Sequence, residues 1–205
     1  MINFEQYLLE RKGSSAGQQV KRKVNIEQLK QMIANKDPKI ADVDVGEITD
    51  MSELFKGSDF GGSWTADLSG WDTSNVENMS RMFKGCTSLK EVALPNTGNV
   101  ENMNEMFEGC TSLIKVELPH TENVVSQFGM NGMFHSCTSL KEVSLPHTEN
   151  ITGMWGMFYG CKELEQNFSS WNVKGKTTTY MFDGCTKMEE SYRKGNSLYP
   201  KGYEQ

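Results

Sequence analysis

From residue 40 onward the apolar positions follow a long repeating register, not one extended helix or a simple alternation. Met-Phe pairs stand at Met82-Phe83, Met106-Phe107, Met133-Phe134, Met157-Phe158 and Met181-Phe182, spaced by 24, 27, 24 and 24 residues. Three residues after each Phe comes a cysteine: Cys86, Cys110, Cys137, Cys161 and Cys185. A degenerate copy precedes them as Leu54-Phe55, with Ser58 at the cysteine position. Four residues before each Phe a methionine recurs (Met51, Met79, Met103, Met130, Met154), becoming Thr178 in the last copy. A period of this length marks a stacked array in which no unit can bury its apolar side alone.

Each unit reads as a short helix followed by a strand. In NVENMSRMF, Val76, Met79 and Phe83 recur at i, i+3 and i+7, one face of a helix. Asn75, Asn99, Asn123 and Asn150 precede that face as N-cap candidates. TSLKEVALP and its sister segments then place Leu89, Val92 and Leu94 in an extended stretch ended by proline. Stacking predicts an α/β solenoid with a parallel sheet along one side. Upstream, NIEQLKQMIANK puts Ile26, Leu29 and Ile33 on one helical face, with Asn25 as N-cap and Gln28 three residues on. The pattern predicts an N-terminal capping helix over residues 25–36 within an array over residues 25–190, and a polar cap or tail over 191–205. Residues 11–24 read as a flexible basic linker and 1–10 as an amphipathic leader.

Composition narrows the classes. The chain of 205 residues carries 21 Lys plus Arg against 27 Asp plus Glu. Seven of the bases lie in residues 11–36 beside one acid, leaving residues 37–205 at a formal −10. An acidic body repels nucleic acid and anionic membranes, so no nucleic-acid partner is expected at the solenoid, and the basic stretch reads as a solvated tether. No apolar run reaches the roughly 20 residues of a membrane span, and the start lacks the unbroken apolar stretch of a signal peptide. These features point to an intracellular or virion protein. With histidines only at 120, 135 and 147, and no nucleophile–base–acid set or phosphate loop, an enzyme is not expected, nor a cofactor.

The cysteines come one per repeat at one phase, and five is an odd number. Disulfides fail on parity and spacing, and no ligand set at metal spacing accompanies them. They should stack as a ladder of buried thiols, each a small hydrophobe. On that reading Cys110→Ser costs a few kcal/mol, through a polar group placed in an apolar stack.

These residues carry a resemblance. LSGWDTSNVENMSRMFKGCTSL resembles the BspA-type leucine-rich repeat, abundant in mycoplasma lipoproteins and bacterial surface proteins, and ITDMSELFKGSDF resembles the usual first repeat of such arrays. The resemblance covers residues 40–190. It implies a right-handed helix–strand leucine-rich-repeat superhelix that binds proteins, often as an adhesin, with no catalytic residues. The segment LPNTG at 94–98 matches a cell-wall sorting signal, yet lies mid-chain with sister segments LPHTE at 118–122 and 145–149, so it reads as a repeat turn. Residues 1–10 are similar to the capsid-targeting peptide of T-even-type phages. Leu8 and Glu10 then match the L-x-E processing signal, with cleavage after Glu10; the alternative is an amphipathic helix docked on a partner or on the array.

Surface candidates emerge where one repeat departs from its sisters. Trp155 and Tyr159 replace residues that are polar in sister repeats, Tyr180 replaces Arg81, Glu105 and two glycines, and Phe128 lies in the insertion that stretches one spacing to 27. Four residues apart on a helix, Trp155 and Tyr159 would adjoin. They form either an interface hot spot flanked by Phe128 and Tyr180, or a patch covered by the C-terminal tail. His120 and His147 are equivalent positions of neighbouring repeats and form a second surface candidate, without the third ligand a metal needs. The expectation is a non-enzymatic protein-interaction solenoid, phage-encoded and acting in the virion or host cytoplasm, with a bacterial cell-surface adhesin as the competing class.

Overall fold

The computed structural model describes residues 21–62, 67–94, 96–125, 129–194 and 198–203. The chain enters through β1 (Arg22–Lys23), α1 (Ile26–Ala34), a short 3-10 turn (Pro38–Asp42) and β2 (Val43–Asp44), with β1 and β2 parallel. Helix α1 starts where the sequence places it. The Asn25 side chain accepts from the Gln28 N–H, and the Gln28 side chain accepts in return from the Asn25 N–H. Its buried face is Leu29, Met32 and Ile33, which joins the continuous core.

The repeats are built from two hydrogen-bonded ladders. One is a parallel sheet of β3 (Glu91–Ala93), β4 (Lys115–Glu117) and β5 (Glu142–Ser144). Its central register aligns Val92, Val116 and Val143, of which Val116 and Val143 are buried, while the flanking Glu91, Glu117 and Glu142 are exposed.

The second ladder corrects the helix expectation. Among the described residues the only α-helices are α1 and α2 (Thr186–Arg193); the Met-Phe segments are not helical. Within each, every second N–H reaches the next repeat. Met79, Arg81, Phe83 and Gly85 donate to the carbonyls of Asn102, Asn104, Met106 and Glu108 at 2.7–2.9 Å. The intervening Met82, Lys84 and Cys86 turn back three residues, to Met79, Arg81 and Phe83. Five junctions repeat this pattern, so each segment is a rung.

A rung needs two residues in the left-handed region, and this stops a helix from forming. Arg81 (φ +57°) and Gly85 (φ +74°) are followed in the next rung by Glu105 (φ +54°) and Gly109 (φ +73°). Glycine takes such angles freely, and the sequence supplies it at the second position in all but one of the described rungs, where Ser136 stands. The asparagines expected as helix N-caps serve the stack instead. Asn75, Asn99 and Asn123 donate to the carbonyls of Gly46, Ser74 and Gly98 of the preceding repeat at 2.5–2.7 Å. The spacing i, i+3, i+7 marks one buried side in either conformation, and periodicity alone cannot separate the two.

Between the ladders lies the core. Phe55, Phe83, Phe107, Phe134 and Phe158 stack along the array, with centroids 5.0–5.6 Å apart and planes within 9° of parallel. At the far end residues 198–203 run beside residues 168–173, through bonds such as Phe168 N–H to the Leu198 carbonyl at 2.7 Å. Tyr199 and Tyr203 meet Phe182 edge-on.

Candidate functional site

Each rung turns three side chains outward: the residue before the first left-handed position, that residue itself, and the one after the Phe. In the early rungs the last two of these positions are charged and neutralise each other. Arg81 donates to Glu105 through Nε at 2.9 Å and Nη2 at 3.4 Å, while Lys84 reaches Glu105 at 2.6 Å and Glu108 at 2.8 Å. The Arg81 guanidinium, aided by Lys84, holds the Glu105 carboxyl at about 2 against its ordinary 4.5.

A carboxyl depressed in this way adds stability above its unfolded value and loses it as pH falls from about 4.5 toward 2. We expect Glu105→Gln to flatten the acid side of the stability–pH curve within that window and to leave its shape near neutrality unchanged. Urea midpoints measured across the range check this. Wild-type and variant curves that stay parallel below pH 4.5 would contradict it.

Farther along, the outward residues become aromatic and the left-handed position shrinks to Gly132 and Gly156. The result is a groove of about 700 Å³ running from Arg81, Lys84 and Glu105 past Asn131 and Gly132 to His135 and Trp155. The Trp155 N–H donates to Asn131 Oδ1 at 2.8 Å, which pins the rung beside the groove. Trp155, Tyr159 and Tyr180 are 43%, 42% and 52% exposed.

The structure rearranges the expected patch. Trp155 meets Tyr180 of the next rung edge-on at 6.2 Å, and Tyr159 stacks on His135 of the preceding rung at 4.8 Å. The expected side-by-side pair of Trp155 and Tyr159 belonged to a helix that does not form. The described part of the tail does not cover these rings; its Tyr199 and Tyr203 pack on Phe182 at the end of the array. Phe128, Leu8 and Glu10 lie outside the described residues.

His120 and His147 each face their own acid, with Nδ1 at 3.5 Å from Glu122 and 3.6 Å from Glu149. Their backbone carbonyls accept from Thr97 and Thr121 of the preceding repeats, so the loops carry a threonine ladder. No group of three or more His, Cys, Asp or Glu suited to a metal occurs among the described residues.

The five thiols are free and buried, and each donates to the carbonyl of the Phe one rung earlier at 3.0–3.1 Å. The inner row is therefore one of weak donors rather than bare apolar groups. Burial pushes all five upward, Cys185 to about 12, so none offers a thiolate at neutral pH. A hydroxyl can make the same bond, and Ser58 already holds this rung position in the first repeat. Cys110→Ser is thus expected to cost no more than about 1 kcal/mol in a urea titration. A loss of several kcal/mol would restore the apolar-stack reading.

The charged network escaped the sequence reading. Its signal was present as opposite charges at equivalent positions of adjacent repeats, Arg81 above Glu105 and Lys84 above Glu108.

A family model described as "Mycoplasma protein of unknown function, DUF285" matches residues 24–142 and 128–197. The expected mycoplasma-type repeat is thereby borne out. No curated protein matches. Among solved structures, a leucine-rich repeat protein from Eubacterium ventriosum is 18% identical with a TM-score of 0.45 over 75% of this chain and 42% of its own. One from Bacteroides ovatus is 19% identical, with a TM-score of 0.37 over 67% of this chain and 44% of its own. The T. pallidum leucine-rich repeat protein is 16% identical, with a TM-score of 0.28 over 75% of this chain and 78% of its own. This chain thus spans less than half the length of the first two proteins.

Proposed function

The chain belongs to the family described as Mycoplasma protein of unknown function, DUF285, and for it we propose a non-enzymatic role as a protein-binding repeat array whose partner docks on the aromatic end of the rung face. One observation carries this reading: Trp155 and His135 line one end of the groove, with Tyr180 edge-on to the first and Tyr159 stacked on the second, and the three large rings are near half-exposed where earlier rungs place self-neutralised charges. Large rings supply contact area at low entropic cost and anchor interfaces. Helix α1 serves in this reading as the N-terminal cap of a right-handed array. The virion or host-cytoplasm setting rests on the composition and on residues 1–10 and gains nothing from the family match, with which a cell-surface setting is compatible. No helix of the described residues is long and apolar enough to cross a membrane.

The test uses the partner captured from the native host. Trp155→Ala with Tyr159→Ala is expected to weaken binding at least ~30-fold, since truncating an anchor costs about 2 kcal/mol or more. The thermal melt should stay nearly unchanged, because both side chains stand at the surface. Unchanged binding would move the interface to the sheet side and its His120–His147 edge; equal losses of binding and stability would make the rings structural.

A further inference from the structure

The rung ladder ends before its bonding capacity does. At each of the five junctions, the residue before the first left-handed position's predecessor and the left-handed residue itself donate N–H groups to two carbonyls of the next rung. Met154 and Gly156, for example, donate to Thr177 and Thr179, both at 2.9 Å. In the last rung the equivalent donors are Thr178 and Tyr180, and no carbonyl of the described residues receives them. Thr177, Thr179 and Tyr180 are exposed.

The other half of that rung is closed by side chains. The Gly184 N–H bonds Glu189 Oε1 at 3.2 Å. Tyr199 and Tyr203 cover the Phe182 ring, and residues 198–201 already pair with the neighbouring arm. Among the described residues, what stays open is a short stub with two donors, flanked by Tyr180 and, edge-on to it, Trp155.

We propose that Thr178 and Tyr180 form a strand-addition site, which takes an extended polypeptide segment of the partner as a further half-rung. The five junctions show what satisfies these donors: two carbonyls two residues apart on a neighbouring parallel segment. Backbone bonds of this kind set orientation, while the side chains of the added segment read the neighbouring surface, here Tyr180 and Trp155. The inference rests on the protein-binding reading and adds the mode of contact.

The probe is a capped synthetic peptide of residues 97–105, TGNVENMNE, which is the chain's own half-rung and stops before the Phe that the tail would exclude. Amide hydrogen exchange is followed by NMR on the full chain. Without peptide, the Thr178 and Tyr180 amides should exchange within about tenfold of the unstructured rate. Gly156, bonded to Thr179 at the same rung position, stays protected and reports that the chain is folded. At saturating peptide both stub amides should slow at least about tenfold, with the Trp155 indole resonance shifting. Protection of Thr178 and Tyr180 in the free chain overturns the proposal, because the edge would already be covered. A Trp155 shift with both amides still exchanging freely overturns strand addition while keeping the aromatic face as an interface. Silence of all three groups overturns it as well.

Discussion

Phe107→Ala is expected to lower the unfolding free energy by about 3–5 kcal/mol. The ring is fully buried between Phe83 and Phe134, at 5.5 and 5.6 Å, with planes within 2° of parallel. The upper half of the range applies, since the site cannot collapse. The Phe107 N–H is tied to Met133 on one side, and on the other the Phe83 N–H is tied to Met106 and the Phe83 carbonyl receives the Cys110 thiol, so both flanks are held by rungs. In a stacked array each repeat touches only its neighbours, and a hole in the middle also weakens the coupling of the two halves. Urea unfolding followed by circular dichroism should show an earlier midpoint and a broader transition. A loss below about 1 kcal/mol would mean that the aromatic stack is not the continuous core.

Gly61→Ala is the second large effect, expected at about 3 kcal/mol or more. Gly61 adopts φ +90°, and a Cβ built there lies 2.6 Å from the Leu89 Cα, 3.1 Å from its N and 3.2 Å from the Ser88 carbonyl. All three are backbone atoms of the following repeat and cannot swing aside. Left-handed strain costs about 1–2 kcal/mol and forced repacking about 1–3. The contrast is Gly57→Ala, where φ is +67° with nothing within 4 Å, so only the strain applies. Thermal melts of the two variants should differ clearly, with Gly61→Ala lower; matching melts would show that the backbones do not approach so closely.

Neither the closeness of Gly61 to Leu89 nor the rung geometry could be read from the chain alone, and the reasons differ. Gly61 sits in a Gly-Gly pair that signals a turn, whereas the contact depends on where stacking puts the next repeat. The rung was misread as a helix because Val76, Met79 and Phe83 fit a helical face equally well. The signal against a helix was the glycine at the position of Gly85 in nearly every copy, which recurs where the backbone must turn left-handed. By contrast, the stack itself, the buried cysteine phase and α1 were legible, because each rests on register or on capping chemistry that tertiary packing does not override. Trp155, Tyr159 and Tyr180 stood out in the chain as departures from their sisters. Their true partners did not, since inter-rung pairing follows the ladder rather than a spacing of four.

The account stands on that ladder, which builds the core on its inner side and presents the aromatic face on its outer side. Scalar couplings across hydrogen bonds measure it directly on deuterated, isotope-labelled protein. Couplings are predicted from the amide nitrogens of Arg81, Phe83 and Glu105 to the carbonyl carbons of Asn104, Met106 and Asn131, each one repeat away. Couplings instead from each of these nitrogens to the carbonyl four residues before it would restore the helix and contradict the account.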